Sequence, residues 1–229
     1  MDSECVQEKN LTSRKAYVFD AYGTLFDVHS AANRLKEEIG PAADRLSQVW
    51  RDKQLQYTWI RALTGRHQNF ESVTSAALDF AIATVGGLEG EMRQKLLDAY
   101  MVLDAYPEVR EVLSELKSRG VQTAILSNGT AGMLEAAIQS SGISDLLDAC
   151  LSIEEIGIYK PAPEVYQIAV DRLGIGASEI SFQSSNRWDI AGAKSFGFHT
   201  AWINRLHQPD EFSDMPADQI FDSLKPLVS

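Results

Sequence analysis

Five short apolar runs, at 16–19, 121–126, 149–151, 180–182 and 200–203, constrain this chain most. They are too short for helices and too continuously apolar for strands with one wet face. Such runs suit strands of a parallel sheet covered on both faces. From residue 105 onward helical patterns fill the gaps. In PEVREVLSELKSRG, Pro107 opens a helix, Val109, Val112, Leu113 and Leu116 share one face, and Gly120 closes it. In PEVYQIAVDRLG the apolar positions are Val165, Ile168, Ala169 and Leu173, with Gly174 at the end, and WDIAGAKSFG stops likewise at Gly197. Alternating strand and helix predicts an α/β fold with a parallel sheet and right-handed crossovers.

Residues 27–104 break the alternation. No strand run interrupts them, and helical patterns follow one another near 29–39, 42–63, 70–85 and 89–103. This predicts a helical insertion after the first strand. Residues 1–14 are expected to form a loose tail, and 207–217 a loop.

A chain of 229 residues, 45% hydrophobic, can build a sizeable core without disulfides or a structural metal. Its two cysteines, Cys5 and Cys150, lie far apart and form no CxxC motif, which favours a reducing, cytoplasmic setting and argues against zinc. The first 14 residues lack an apolar secretory core, and no stretch approaches the roughly 20 apolar residues of a membrane helix. Lys plus Arg number 21 against 32 Asp plus Glu, a net charge of −11, which argues against a nucleic-acid partner. An anionic small molecule remains compatible, because surface charge is screened over about 8 Å.

In open α/β sheets, ligands bind beyond the carboxyl ends of the strands. Here those ends carry polar residues. The first run gives Asp20, Tyr22, Gly23 and Thr24; the second gives Ser127, Asn128 and Gly129. Lys160 follows the third, and Ser184, Ser185, Asn186 and Asp189 follow the fourth. Singly, each has an ordinary explanation as a turn, cap or loop residue. Together at one edge they bring a carboxylate nucleophile, hydroxyls, an amide, a cation and a second carboxylate.

With these residues in hand, the sequence resembles the haloacid dehalogenase superfamily, and within it the L-2-haloacid dehalogenases. The matching pieces are FDAYGTLFDVHS, VWRDKQLQYTWIR, LSNG, YKPAPEVY, SSNRWD and FGFHTAWINR, in the family's order. Arg187 and the N-terminal tail depart from its pattern. The resemblance implies a Rossmann-like core of residues 15–26 and 105–229, an inserted helical cap of 27–104, and a homodimer. It also implies hydrolysis of short-chain L-2-haloalkanoic acids to D-2-hydroxy acids, with no metal or other cofactor. Superfamily phosphatases carry Asp-x-Asp, the second acid serving the leaving alkoxide. Here that position is Tyr22, and a halide leaves without a proton. A magnesium-dependent phosphatase acting on a small phosphomonoester is the alternative on the same scaffold.

The resemblance also distributes roles. Asp20 would be the nucleophile, steadied by Thr24, with Lys160 as its cationic partner. Ser127 and backbone N–H groups would hold the substrate carboxylate. Arg51, Asn128 and the edge of Trp188 would receive the halide. Ser184, Asn186 and Asp189 would orient Lys160 and the hydrolytic water, with Asp189 as the base. Tyr166 would either bond near the nucleophile or fill core. Tyr22, Leu55 and Phe70 would line an apolar pocket. Arg51 could equally face solvent on its helix, Trp188 could be plain core, and Asp189 could cap the following helix.

Overall fold

The computed structural model describes residues 14–88 and 90–229. Six strands form one wholly parallel sheet: β1 (Ala16–Phe19), β2 (Gln122–Ser127), β3 (Ala149–Ser152), β4 (Ile180–Ser184), β5 (His199–Ile203) and β6 (Gln219–Phe221). Their order is β3-β2-β1-β4-β5-β6. All of β1 and β4 is buried, as two-sided coverage requires. β6 lies beyond the expected loop, where no strand was predicted. It is an edge strand with Ile220 exposed, so its three residues carry no continuous apolar signal.

The helices are α1 (Ser30–Arg34), α2 (Lys36–Ile39), α3 (Ala43–Leu63), α4 (Phe70–Thr84) and α5 (Met92–Met101), all between β1 and β2. The remainder are α6 (Val109–Ser118), α7 (Ala131–Ser140), α8 (Pro163–Leu173) and α9 (Arg187–Phe196). The expected helix at 29–39 is two short ones, because Leu35 leaves helical geometry. Pro107 sits in the turn before α6 rather than opening it. α7 escaped the sequence reading, since Gly132 lowers its propensity; Thr130 caps it by accepting from the Met133 N–H at 3.2 Å. Of the expected tail, 1–13 lie outside the described residues, and Arg14 donates to the Ser178 carbonyl. Lys15 already belongs to the sheet: its N–H donates to Glu179 and its carbonyl accepts from Gln122.

The sheet's chirality of assembly fixes where a site can form. β1 has β2 on one side and β4 on the other, so chain order reverses across the β1–β4 pair. That is the switch point at which a crevice opens beyond the strand ends. Asp20 is the first residue past β1, and its N–H bonds to Gln183 of β4 at 2.9 Å. Of the five insertion helices, α3 reaches this edge, Arg51 donating to the Tyr22 carbonyl at 3.2 Å. Within them, α3 lies along α4, and the Trp50 indole N–H donates to the Thr74 carbonyl at 2.9 Å.

Candidate active site

Asp20 is 5% exposed and held from several directions. Its Oδ1 accepts from Lys160 Nζ at 3.1 Å, and its Oδ2 accepts from Asn186 Nδ2 at 2.8 Å. Weaker bonds to the same Oδ2 come from Thr24 Oγ1 at 3.3 Å and Ser184 Oγ at 3.4 Å. Thr24 therefore lies in the turn against Asp20 and caps no helix. Three segments distant in sequence, 20–24, 160 and 184–186, meet on one carboxylate, because parallel strands deliver their exits to one edge.

Lys160 Nζ also reaches Asp189 Oδ2 at 2.9 Å, and the Phe182 ring lies 4.9 Å from it. Burial works against the ammonium, but the facing carboxylates of Asp189 and Asp20 outweigh it and hold its pKa above the usual lysine value. For Asp189 burial is the strongest influence, and the carboxyl is pushed up to about 6; Lys160 opposes this and the charge of Asp20 adds to it. Tyr166 donates to Asp189 Oδ1 at 2.8 Å. Burial, and then the negative charge of Asp189, raise the Tyr166 phenol well above its ordinary value, so it serves as a fixed donor. Asp189 thus spends its side chain on Lys160 and Tyr166 rather than on capping α9. Tyr166 does bond into the cluster, instead of only filling core.

Arg51 does not face solvent alone. One Nη donates to Gln54 Oε1 at 2.8 Å; the other reaches the Tyr22 carbonyl at 3.2 Å and Asn186 Oδ1 at 3.3 Å. Asn186 is therefore the link between Arg51 and Asp20. Arg51, Leu55, Asn186 and Trp188 line a cleft of about 790 Å³ between the insertion and the sheet edge. Trp188 is half-buried against Trp59, its indole N–H without a partner among the described residues.

Three further expected residues are buried. Asn128 accepts the Lys160 backbone N–H at 3.0 Å, and no bond joins it to Arg51 among the described residues. Ser127 is buried, its Oγ accepting from the Gly129 N–H at 3.1 Å, without a bond to Asp20. Phe70 packs on Tyr22 with ring centroids 5.4 Å apart, in an interior aromatic group with Tyr100, rather than on the cleft with Leu55. Tyr22 has a buried hydroxyl with no partner among the described residues, and burial holds its pKa well above the ordinary value.

Sequence reasoning missed Gln54 and Tyr100. Gln54 is 1% exposed and ties Arg51 to Thr74 Oγ1 at 2.8 Å and Tyr100 Oη at 3.1 Å. Its signal was available: Trp50, Gln54 and Thr58 recur every fourth residue on the buried face of α3. Gly129 makes room for Tyr22, since a Cβ there would lie 2.8 Å from the phenol ring.

A carboxylate at the switch point of a parallel sheet, bridged by a buried lysine to a second carboxylate, defines a hydrolase built around an aspartate. The chain belongs to the haloacid dehalogenase-like hydrolase family, whose model matches residues 14–197. It is 48% identical to (S)-2-haloacid dehalogenase 1 of Pseudomonas sp. strain CBS-3 over 214 residues, 93% of this chain and 94% of the relative. It is 46% identical to (S)-2-haloacid dehalogenase 4A of Burkholderia cepacia, covering 94% of each. A solved L-2-haloacid dehalogenase from Xanthobacter autotrophicus, with chloropropionic acid covalently bound, superposes with a TM-score of 0.85 at 36% identity. That alignment spans 94% of this chain and 97% of the other.

Proposed function

We propose that this chain hydrolyses short-chain L-2-haloalkanoic acids to D-2-hydroxy acids, with inversion at C2, through an ester on Asp20. The observation that carries the reading is the carboxylate of Asp20, held at the switch point by Lys160 and Asn186 with Tyr22 where a phosphatase has its second acid. The covalent adduct described for the Xanthobacter relative supports a two-step route.

In the first step an Asp20 oxygen attacks C2, the carbon–halogen bond breaks, and its electron pair leaves with the halide. This is nucleophilic catalysis by a carboxylate. Lys160 offsets the repulsion between nucleophile and substrate carboxylate, which Ser127 and nearby backbone N–H groups receive. Arg51 takes the halide at the wall of the cleft, with Asn128 and Trp188; a guanidinium is permanently charged and weakly hydrated, which suits a diffuse anion. In the second step Asp189 accepts a proton from water, and the oxygen attacks the Asp20 ester carbonyl. Collapse expels the 2-hydroxy acid, which takes that proton, and the second proton of the water is released to solvent as Asp20 returns to its carboxylate. C2 is displaced once, hence the inversion.

The reading includes a helical cap of 27–104 over a core of 15–26 and 105–229, no metal, and a cytoplasmic homodimer. Among the described residues no helix is long and apolar enough to cross a membrane. Sedimentation at two protein concentrations checks the dimer.

Halide release from L-2-chloropropionate without added metal tests the chemistry. Wild type should release halide and Asp20→Asn should not. In heavy-oxygen water, a single turnover should place the label in the Asp20 carboxylate before the product. Phosphate release from p-nitrophenyl phosphate with magnesium, and no halide release, would establish the phosphatase instead.

A further inference from the structure

Arg187 is 4% exposed, and the machinery just described does not use it. It lies between Asn186 and Trp188, two residues of the cleft. Its guanidinium turns away from Asp20 and gathers one segment of chain. Nε donates to Asp210 Oδ1 at 2.7 Å, and Nη2 donates to the Phe212 carbonyl at 2.7 Å and the Met215 carbonyl at 2.8 Å. The Phe212 and Trp202 rings lie 5.4 and 5.7 Å from its Cζ. A planar fork that meets a carboxylate and two carbonyls at once is a geometry lysine cannot supply.

The gathered segment runs from β5 to β6, and residues 204–218 contain no helix or strand. Its nearer half forms the outer wall of the cleft: Leu206, Gln208, Pro209 and Glu211 face Leu55 and Trp188. Leu206 is 74% exposed, so the wall has little packing of its own. It is held by the Asn204–Gln208 turn, with bonds of 2.8 and 2.9 Å, by Arg205, which pairs with Glu108 at 2.7 Å, and beyond Pro209 by the Arg187 fork. The cleft's volume of about 790 Å³ lies in the range that encloses drug-sized molecules, roughly 300–1,000 Å³, and far exceeds what a three-carbon acid fills.

We infer that Arg187, with Asp210, is a positioning residue that clamps the outer wall of the cleft. The wall so held takes the alkyl tail of a 2-haloacid longer than propionate. The inference rests on the proposed reaction for its substrate and on the fork geometry for its mechanism. A short acid ends before the wall and does not sense the clamp; a six-carbon acid reaches Leu206 and Pro209.

The test compares 2-chlorohexanoate with 2-chloropropionate. Wild-type kcat/KM for the two should agree within about tenfold. Arg187→Ala should lower the hexanoate value by about tenfold, through KM, and change the propionate value by less than about threefold. Arg187→Lys, which keeps the charge without the fork, should resemble Arg187→Ala. Asp210→Ala, at an exposed site, should shift the ratio the same way and serves if Arg187→Ala does not fold. Amide hydrogen exchange reads the clamp without turnover: residues 206–216 should exchange about tenfold faster in the variants, with β1 and β4 unchanged. Equal loss for both acids, or unaltered exchange over 206–216, overturns the clamp. A wild type that releases halide from neither acid overturns the reaction and the chain-length claim together.

Discussion

Asp189 sets the acid limit of the site. Its carboxyl is pushed up to about 6, chiefly by burial, and the proposed base must be ionised. We therefore expect kcat to fall with one proton as pH drops through about 6, and a pH–rate profile checks this. The sign for stability is opposite. Between the ordinary value of 3.8 and about 6, the folded chain keeps a proton that the unfolded chain has lost. Asp189 thus contributes less to stability as pH rises through that window. From pH 4 to pH 6 the urea midpoint should rise more, or fall less, for Asp189→Asn than for wild type. Gln54 offers a second residue-scale test. Gln54→Leu leaves Thr74 and Tyr100 without their amide partner and frees Arg51. The expected loss is about 1–3 kcal/mol in chemical denaturation, with kcat down about tenfold and KM little changed.

At the scale of elements, α8 and α9 meet through one missing side chain. A Cβ on Gly192 of α9 would lie 2.5 Å from the Tyr166 hydroxyl and 2.6 Å from Pro161. Gly192→Ala should push Tyr166 off Asp189, lower kcat, and destabilise by about 1–3 kcal/mol in urea unfolding. Nothing in the sequence marks this glycine, because close approach is a property of two helices and not of either one. The same logic sorts what could be read in advance. β1, β2, β4 and β5 were legible because burial on both faces leaves apolar runs, and β3, an edge strand with Cys150 exposed, because its residues are nonetheless apolar. β6 was not, because an edge strand needs no such run. Asp20, Lys160, Asn186 and Asp189 were legible as strand exits, since a parallel sheet collects them at one edge. Asn128 meets the Lys160 backbone and Phe70 meets Tyr22, contacts that no pattern in the sequence announces.

At the scale of the whole molecule, a net charge of −11 surrounds a site meant for an anion. Long-range repulsion should slow capture at low ionic strength, and salt should relieve it. We expect kcat/KM for 2-chloropropionate to rise as sodium sulfate is added from about 10 to 150 mM, with kcat nearly constant. The chain's path carries a consequence of its own. The helical insertion leaves the sheet and returns to it side by side: Phe26 bridges Ala105, Asp27 N–H donates to Asp104 at 2.8 Å, and Tyr106 N–H donates to Leu25 at 3.0 Å. Departure and return share a single seam. A foreign helical segment grafted between 26 and 105 would join the chain at that one suture, leaving the strand order beneath undisturbed, and would need to cover only what Arg51, Trp59 and Phe70 now touch.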